Sequence, residues 1–149
     1  MGVGFVNRIV ELRELRELYD TLGQNKGKLV IMYGRRRVGK TELIKYFLEG
    51  VHWPLYVYVD QTTGVQFLEL LSKEVKTQLS SFSSFKTWDD FLEFIAARSD
   101  TGKIVVVLDE FQRIASIDPS WITRLQHVWD ETLRHKNILL ILTGSSIGM

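Results

Sequence analysis

The chain has 149 residues, of which 45% are hydrophobic and 25% charged, and this length and composition suit one globular domain. Nineteen Lys and Arg residues against eighteen Asp and Glu give a net charge of +1, which excludes a general electrostatic attraction to nucleic acid or anionic membranes. The chain contains no cysteine, so disulfides, thiolate zinc sites and cysteine nucleophiles are excluded. Because it has neither an apolar run of about 18 residues nor a signal-peptide pattern, we expect a cytoplasmic protein that does not enter a membrane.

The first half of the chain predicts alternating helices and strands. Apolar residues recur at spacings of three and four near the N-terminus, which predicts a helix from Asn7, as its N-cap, to Leu22. Short apolar runs bounded by glycine or proline predict strands. The other elements predicted here, in chain order, are a buried strand at 29–33, a helix at 41–48, a strand at 55–60 and a helix at 65–79.

The second half continues the alternation. Thr87, with Asp90 three residues later, resembles a capping box at the start of a helix. Asp118 followed by Pro119 predicts the start of another helix, which reaches about His135. Continuous apolar runs predict strands at 104–108 and 138–142. Apolar strands that alternate with helices are typical of a parallel sheet covered on both faces, so the predicted fold class is α/β.

A phosphate-binding pattern joins the strand at 29–33 to the following helix. Gly34, Gly39, Lys40 and Thr41 occupy the four specified positions of a P-loop. The glycines permit backbone angles that turn successive N–H groups towards an anion, and the helix N-terminus adds positive potential. Lys40 suits the β- and γ-phosphates, and the Thr41 hydroxyl suits Mg²⁺. A chance glycine-rich turn is the alternative, but four matches between a strand and a helix favour binding of a nucleoside triphosphate.

The variable positions of this loop are Arg35, Arg36, Arg37 and Val38, which we include in the nucleotide-binding segment. Because the backbone amides of a phosphate loop face the anion, its variable side chains mostly point away. We therefore expect the arginines to raise the local positive potential, or to pair with acidic groups of a lid, a neighbouring subunit or a partner. Direct contact with the γ-phosphate is the alternative.

An acidic pair follows the apolar strand at 104–108. In a parallel sheet, ligand-binding residues lie at the carboxyl ends of the strands, so Asp109 is predicted to complete the Mg²⁺ shell together with Thr41. Glu110 is predicted to orient and deprotonate the attacking water. A charged turn that merely closes the strand is the alternative.

Hydroxyl side chains follow the last predicted strand. Thr143 and Ser145 are candidate catalytic sensors of the γ-phosphate or of the attacking water, with Ser146 a further candidate. Hydroxyls that only terminate a strand are the alternative. ATP-hydrolysing machines typically have a glutamate directly after the metal aspartate. They also have a strand inserted between the P-loop strand and the acidic strand, and the strand at 138–142 suits that place. Both features disfavour a small-molecule kinase.

Four segments in the same order resemble the archaeal-type ATPases of the AAA+/STAND branch of P-loop NTPases: "FVNRIVELREL", "YGRRRVGKTELI", "VVVLDEFQRI" and "LTGSS". The resemblance implies a three-layer P-loop core of the additional-strand, catalytic-glutamate division. It implies the strand order P-loop strand, sensor strand, acidic strand, then the strand at 55–60 on the edge. It also implies an adenine-side role for Val6 and Arg8, for which a helix cap and a surface charge are the alternative.

Members of this family continue into a helical lid and a C-terminal domain, so we expect residues 1–149 to be a core domain that is truncated before the lid. The resemblance implies an ATPase that uses ATP and Mg²⁺ to drive or time conformational change in a larger protein. A nucleotide-dependent switch with little turnover and a P-loop kinase are the alternatives. The expected partners are ATP and either another protein or a second copy, with DNA bound only through a domain outside this chain.

Arg113 and Arg134 are candidate arginine fingers, with surface solvation as the alternative.

Overall fold

The computed structural model describes residues 2–34 and 39–145, and describes side chains at 11–33 and 39–144. The helices are α1 (Gly2–Asp20), α2 (Lys40–Leu48), α3 (Gly64–Leu79), α4 (Trp88–Arg98), α5 (Gln112–Ile117) and α6 (Pro119–Glu131), and a 3-10 turn spans Leu133–His135. The strands are β1 (Lys28–Gly34), β2 (Pro54–Tyr58), β3 (Ile104–Asp109) and β4 (Ile138–Ser145).

All strand pairs run parallel, and the strand order is β1-β4-β3-β2. This order confirms the one implied by the family resemblance, because β4 lies between the P-loop strand and the acidic strand. Because all four strands are parallel, their carboxyl ends lie at the same end of the sheet, which is where such folds bind ligands.

The helices form a layer on each face of the sheet. The α1 and α2 side chains pack on one face, against Val105, Val107, Leu139 and Ile141. Helices α3 to α6 pack on the other face, where a second cluster includes Leu55, Val106 and Leu140. Strands β3 and β4 are buried on both faces, which explains why they are apolar at nearly every position. The predicted three-layer α/β architecture is confirmed.

The prediction of a buried strand at 29–33 was wrong. Alternate residues on one face of β1 are partly exposed, with exposed fractions of 39% at Leu29, 50% at Ile31 and 52% at Tyr33. Strand β1 is an edge strand of the described sheet, and on the face that carries Leu140 and Leu142 its side chains line an open groove beside α6. A run of apolar residues cannot distinguish a central strand from an edge strand.

Two of the predicted helix caps are present in the structure. Thr87 and Asp90 form the predicted capping box at α4, and the Asp118 side chain accepts a hydrogen bond from the Ser120 backbone N–H at the start of α6. The prediction of an N-cap at Asn7 was wrong, because α1 begins at Gly2 and runs through that position. Helix α5 was not predicted, since six residues are too few to show a helical period.

Candidate nucleotide-binding site

The P-loop pattern joins β1 to α2, as predicted. Gly34 ends β1, and Gly39 precedes α2 with a φ of 74°, in the left-handed region that favours glycine. This backbone conformation explains the requirement for glycine at position 39. Four loop positions of the pattern lie outside the described residues, namely Arg35, Arg36, Arg37 and Val38.

Lys40 begins α2, and its side chain is buried, with an exposed fraction of 8%. Its ammonium group donates a hydrogen bond of 2.6 Å to the carbonyl oxygen of Gly144, near the carboxyl end of β4. An ammonium group has three protons, so this bond uses one of its donors. A buried cation therefore lies at the carboxyl ends of the strands.

Asp109 is the centre of a hydrogen-bond cluster that joins three elements. Its carboxylate is 1% exposed at the end of β3. The Thr41 hydroxyl of α2 donates to Oδ2 at 2.9 Å, and the Tyr56 hydroxyl of β2 donates to the same oxygen. The Thr143 hydroxyl of β4 donates to Oδ1. The predicted pair of Thr41 and Asp109 is thus brought together, and Thr143 joins it.

The sheet register explains this convergence. Tyr56 pairs with Val107, and Tyr58 pairs with Asp109, so the Tyr56 side chain lies on the same face of the sheet as Asp109. Tyr56 and Val107 belong to the cluster that packs under α1 and α2, which is the face that carries Thr41. The metal-site candidates therefore lie beneath the N-terminus of α2.

Burial raises the pKa of the Tyr56 hydroxyl well above its ordinary value, and the hydrogen bond and the negative charge of Asp109 raise it further. The phenol consequently keeps its proton at neutral pH and acts as a donor. Tyr56 was not predicted as a site residue. The sequence did offer one indication of this role. Tyr56 carries a hydroxyl group and lies in the strand that the resemblance placed beside the acidic strand.

We expect Tyr56→Phe to lower the free energy of unfolding by about 1–2 kcal/mol, because it removes a partly buried donor to a carboxylate. Denaturant unfolding measures this change. Tyr58→Phe is the matched control in the same strand, since Tyr58 is 43% exposed and its hydroxyl accepts a long hydrogen bond of 3.5 Å from Arg113. Equal losses in the two variants would contradict the assignment.

Glu110 directly follows β3 and has a φ of 58°, which is uncommon for a residue with a side chain. The residue is 6% exposed, and its Oε1 accepts a hydrogen bond of 2.7 Å from Nε2 of Gln112. Gln112 was also not predicted as a site residue. It lies in the first turn of α5, the helix whose pattern was too short to detect.

The other candidates differ in how far the structure describes them. Ser145 ends β4, but its side chain is outside the described residues, as is the whole of Ser146. Val6 and Arg8 lie on the α1 backbone, and their side chains are not described.

The two candidate arginine fingers contact their own chain. Arg113 donates to the Val59 carbonyl oxygen at 3.2 Å and lies over the Tyr58 ring. Arg134 donates to the Asp130 carbonyl oxygen at 2.9 Å. These contacts place each guanidinium group against a neighbouring element of the same domain.

The donor set around Asp109 fits Mg²⁺. Thr41 and Asp109 supply hard oxygen atoms, and Mg²⁺ prefers one or two protein oxygens together with phosphate and water. No group of three or more His, Cys, Asp or Glu side chains with metal-site spacing occurs within the described residues. Within the part of the chain that the structure describes, the donor set is therefore a hydroxyl and a carboxylate, and not a cluster of three or more carboxylate or histidine ligands.

Comparison with protein families decides the relationship. The model of an ATPase domain found predominantly in Archaea matches residues 5–149. The chain belongs to this family. This archaeal ATPase domain is 28% identical over 145 residues to an uncharacterized protein of Methanocaldococcus jannaschii, covering 97% of the chain and 30% of that protein. It is 57% identical over 48 residues to an uncharacterized ATP-binding protein of the same organism, covering 32% of the chain and 76% of that protein.

Solved structures share the fold. The archaeal ATPase domain is similar to the ORC2 protein of Aeropyrum pernix in its ADPNP–ADP complexes, with a TM-score of 0.63, 20% identity and coverage of 92% of the chain and 40% of that protein. It is also similar to a Walker-type ATPase of Pyrococcus abyssi, with a TM-score of 0.64, 21% identity and coverage of 92% and 44%. The chain thus spans less than half of each of these longer proteins. Among the described helices of the domain, none is long and apolar enough to cross a membrane.

Proposed function

We propose that this domain binds ATP with Mg²⁺ and hydrolyses it to drive or time conformational change in a larger protein. The observation that carries the proposal is the direct hydrogen bond of 2.9 Å between Thr41, in the P-loop helix, and Asp109, at the end of the acidic strand. The two motifs are 68 residues apart in the chain, and the fold joins them at one point. Membership of an archaeal ATPase family supports ATP as the ligand.

The phosphate chain is proposed to bind across the loop from Gly34 to Thr41. The N-terminus of α2 adds positive potential at the anion, and Lys40 donates to the β- and γ-phosphate oxygens. The three loop arginines raise the positive potential around this entrance. Val6 and Arg8 are proposed to lie on the adenine side of the site.

Thr41 and Asp109 would hold Mg²⁺, which when bound supplies positive charge to the phosphate oxygens. Thr41 and Tyr56 both donate to Oδ2 of Asp109, and Thr143 donates to Oδ1. These donors fix the orientation of the carboxylate. A fixed orientation reduces the reorganisation that nucleotide binding requires.

Glu110 is proposed to orient the attacking water and to accept its proton at a carboxylate oxygen. Thr143 and Ser145 are proposed as sensors of the γ-phosphate. Two contacts support this proposal for Thr143: its hydroxyl contacts Asp109, and its carbonyl oxygen accepts a hydrogen bond of 2.9 Å from the N–H of Phe111, next to Glu110. A displacement of the carboxyl end of β4 would therefore change the positions of both Asp109 and Glu110.

The role in a larger protein rests on the lengths of the relatives, because the chain spans 30% of one curated relative and 40% of one solved structure. Another protein or a second copy is the proposed partner, and DNA is proposed to bind only through other domains. Two solved relatives, from Drosophila and Aeropyrum pernix, are described as complexes with DNA. That description applies to those proteins.

Two measurements on the unaltered chain test the proposal. Calorimetry with ATP and Mg²⁺ is expected to show binding at one site per chain, and single-turnover assays are expected to show release of phosphate from bound ATP. Binding with no hydrolysis, in this chain and in a longer protein that contains it, would favour a nucleotide-dependent switch. Failure to bind ATP would contradict the proposal as a whole.

A further inference from the structure

We infer that Gln112 is a positioning residue that holds the Glu110 carboxylate in place for the attack on ATP. The inference rests on the proposed role of Glu110 as the base. The contact that motivates it is the 2.7 Å hydrogen bond from Gln112 Nε2 to Glu110 Oε1. The acceptor is a buried carboxylate oxygen, and a hydrogen bond to a carboxylate is shorter and stronger than one between neutral groups, so it restricts the Glu110 side chain.

The backbone between these residues is shaped to make this contact. Glu110 has a φ of 58°, and the chain leaves β3 at this residue to enter α5. The N–H of Phe111 donates to the carbonyl oxygen of Thr143 at 2.9 Å, and the N–H of Arg113 donates to the carbonyl oxygen of Glu110 at 3.1 Å. These two hydrogen bonds stabilise the turn between β3 and α5. The turn therefore brings the Gln112 side chain into contact with the carboxylate of Glu110, two residues earlier in the chain.

The orientation of the Gln112 amide points to the same pairing. Nε2 faces Glu110, whereas Oε1 is buried and has no hydrogen-bond partner among the described residues. Rotating the amide by half a turn would place its oxygen against the carboxylate oxygen, which is repulsive. The contact with Glu110 therefore determines which way the amide points, although this leaves a buried acceptor unpaired.

Gln112 is attached to a well-anchored helix. The next residue, Arg113, donates to the Val59 carbonyl oxygen at 3.2 Å and lies over the Tyr58 ring at 5.6 Å. Ile114 is fully buried in the core. The first turn of α5 is consequently fixed to β2 and to the core, so that the amide restrains Glu110 from a rigid support. A misplacement of about 1 Å in a reacting group can lower a rate by about 100-fold.

Two substitutions remove the donor in different ways. Gln112→Leu removes the amide, and Gln112→Glu keeps the size but replaces the donor with a second carboxylate. Each is expected to lower the single-turnover rate of ATP hydrolysis by about 10- to 100-fold, while the Kd for ATP with Mg²⁺ changes by less than about threefold. Gln126→Leu, the same change at an exposed position of α6, is the control and is expected to leave both quantities unchanged. Thermal unfolding confirms that each variant is folded at the assay temperature.

A double variant separates positioning from a general structural role. If Gln112 acts through Glu110, adding Gln112→Leu to Glu110→Gln produces no further loss of rate. A further loss of about tenfold in that background would overturn the inference, because Gln112 would then act independently of the base. An unaltered rate or a faster rate in both single Gln112 variants would also overturn it.

The failure of the inference can be distinguished from failure of the proposed function. If the unaltered chain hydrolyses ATP and Glu110→Gln does not, but both Gln112 variants match the unaltered chain, only the positioning role fails. If Glu110→Gln hydrolyses ATP as fast as the unaltered chain, or the unaltered chain has no turnover, the proposed base itself fails and the role of Gln112 fails with it.

Discussion

Replacing Lys40 with alanine is expected to abolish measurable ATP binding, with a loss of affinity of at least about 100-fold. The Lys40 side chain is 8% exposed, and its ammonium group lies at the carboxyl end of β4. A buried cation interacts with phosphate more strongly than a solvated one, because the surroundings screen the charges less. Alanine removes both this charge and the donors that would contact the phosphate oxygens.

Calorimetric titration with ATP and Mg²⁺ measures the effect of Lys40→Ala. Lys73→Ala removes the same charge from an exposed position of α3 and is the matched control. Loss of the bond to Gly144 is expected to cost about 1 kcal/mol of folding free energy, which denaturant unfolding reports separately from binding. Affinity in Lys40→Ala equal to that of the control would show that ATP does not contact Lys40.

The substitution Glu110→Gln is expected to preserve ATP binding and to lower the rate of hydrolysis by about 10²- to 10⁴-fold. An amide has nearly the shape of a carboxylate, and its oxygen can still accept the hydrogen bond from Gln112. It cannot accept a proton from the attacking water at neutral pH. The substitution therefore separates the chemical step from binding.

Single-turnover hydrolysis and calorimetry on the same preparation check this result. Glu93→Gln, at an exposed position of α4, is the control for the change in net charge. Hydrolysis at the unaltered rate would show that Glu110 is not the base. A large loss of ATP affinity would instead place Glu110 in binding, which the proposal does not include.

Much of the fold followed from local patterns. The P-loop glycines, the capping box at Thr87 and the cap at Asp118 were readable because each depends on residues within a few positions. The alternation of apolar runs with helical periods predicted the parallel sheet and its covered faces. The strand order came from the family resemblance, and the structure confirmed it.

Other features depended on contacts between distant parts of the chain. Tyr56 reaches Asp109 from 53 positions away, and Thr143 reaches it from 34 positions away. Strand order and register decide which hydroxyl groups contact the Asp109 carboxylate. Neither can be recognised from a short stretch of sequence. The left-handed conformation of Glu110 was equally hidden, because residues other than glycine and asparagine give little sign of it.

The sequence by itself determined that a phosphate-binding loop precedes an acidic strand in an α/β domain, since those signals consist of residue types at fixed spacing. The tertiary structure alone decided that Tyr56 and Thr143 orient Asp109, that Gln112 contacts Glu110, and that β1 lies at an edge of the described sheet. The physical reason is the range of the interactions. Backbone preferences act over a few residues, whereas the geometry of this site arises where the ends of β3 and β4 meet side chains from β2, α2 and α5.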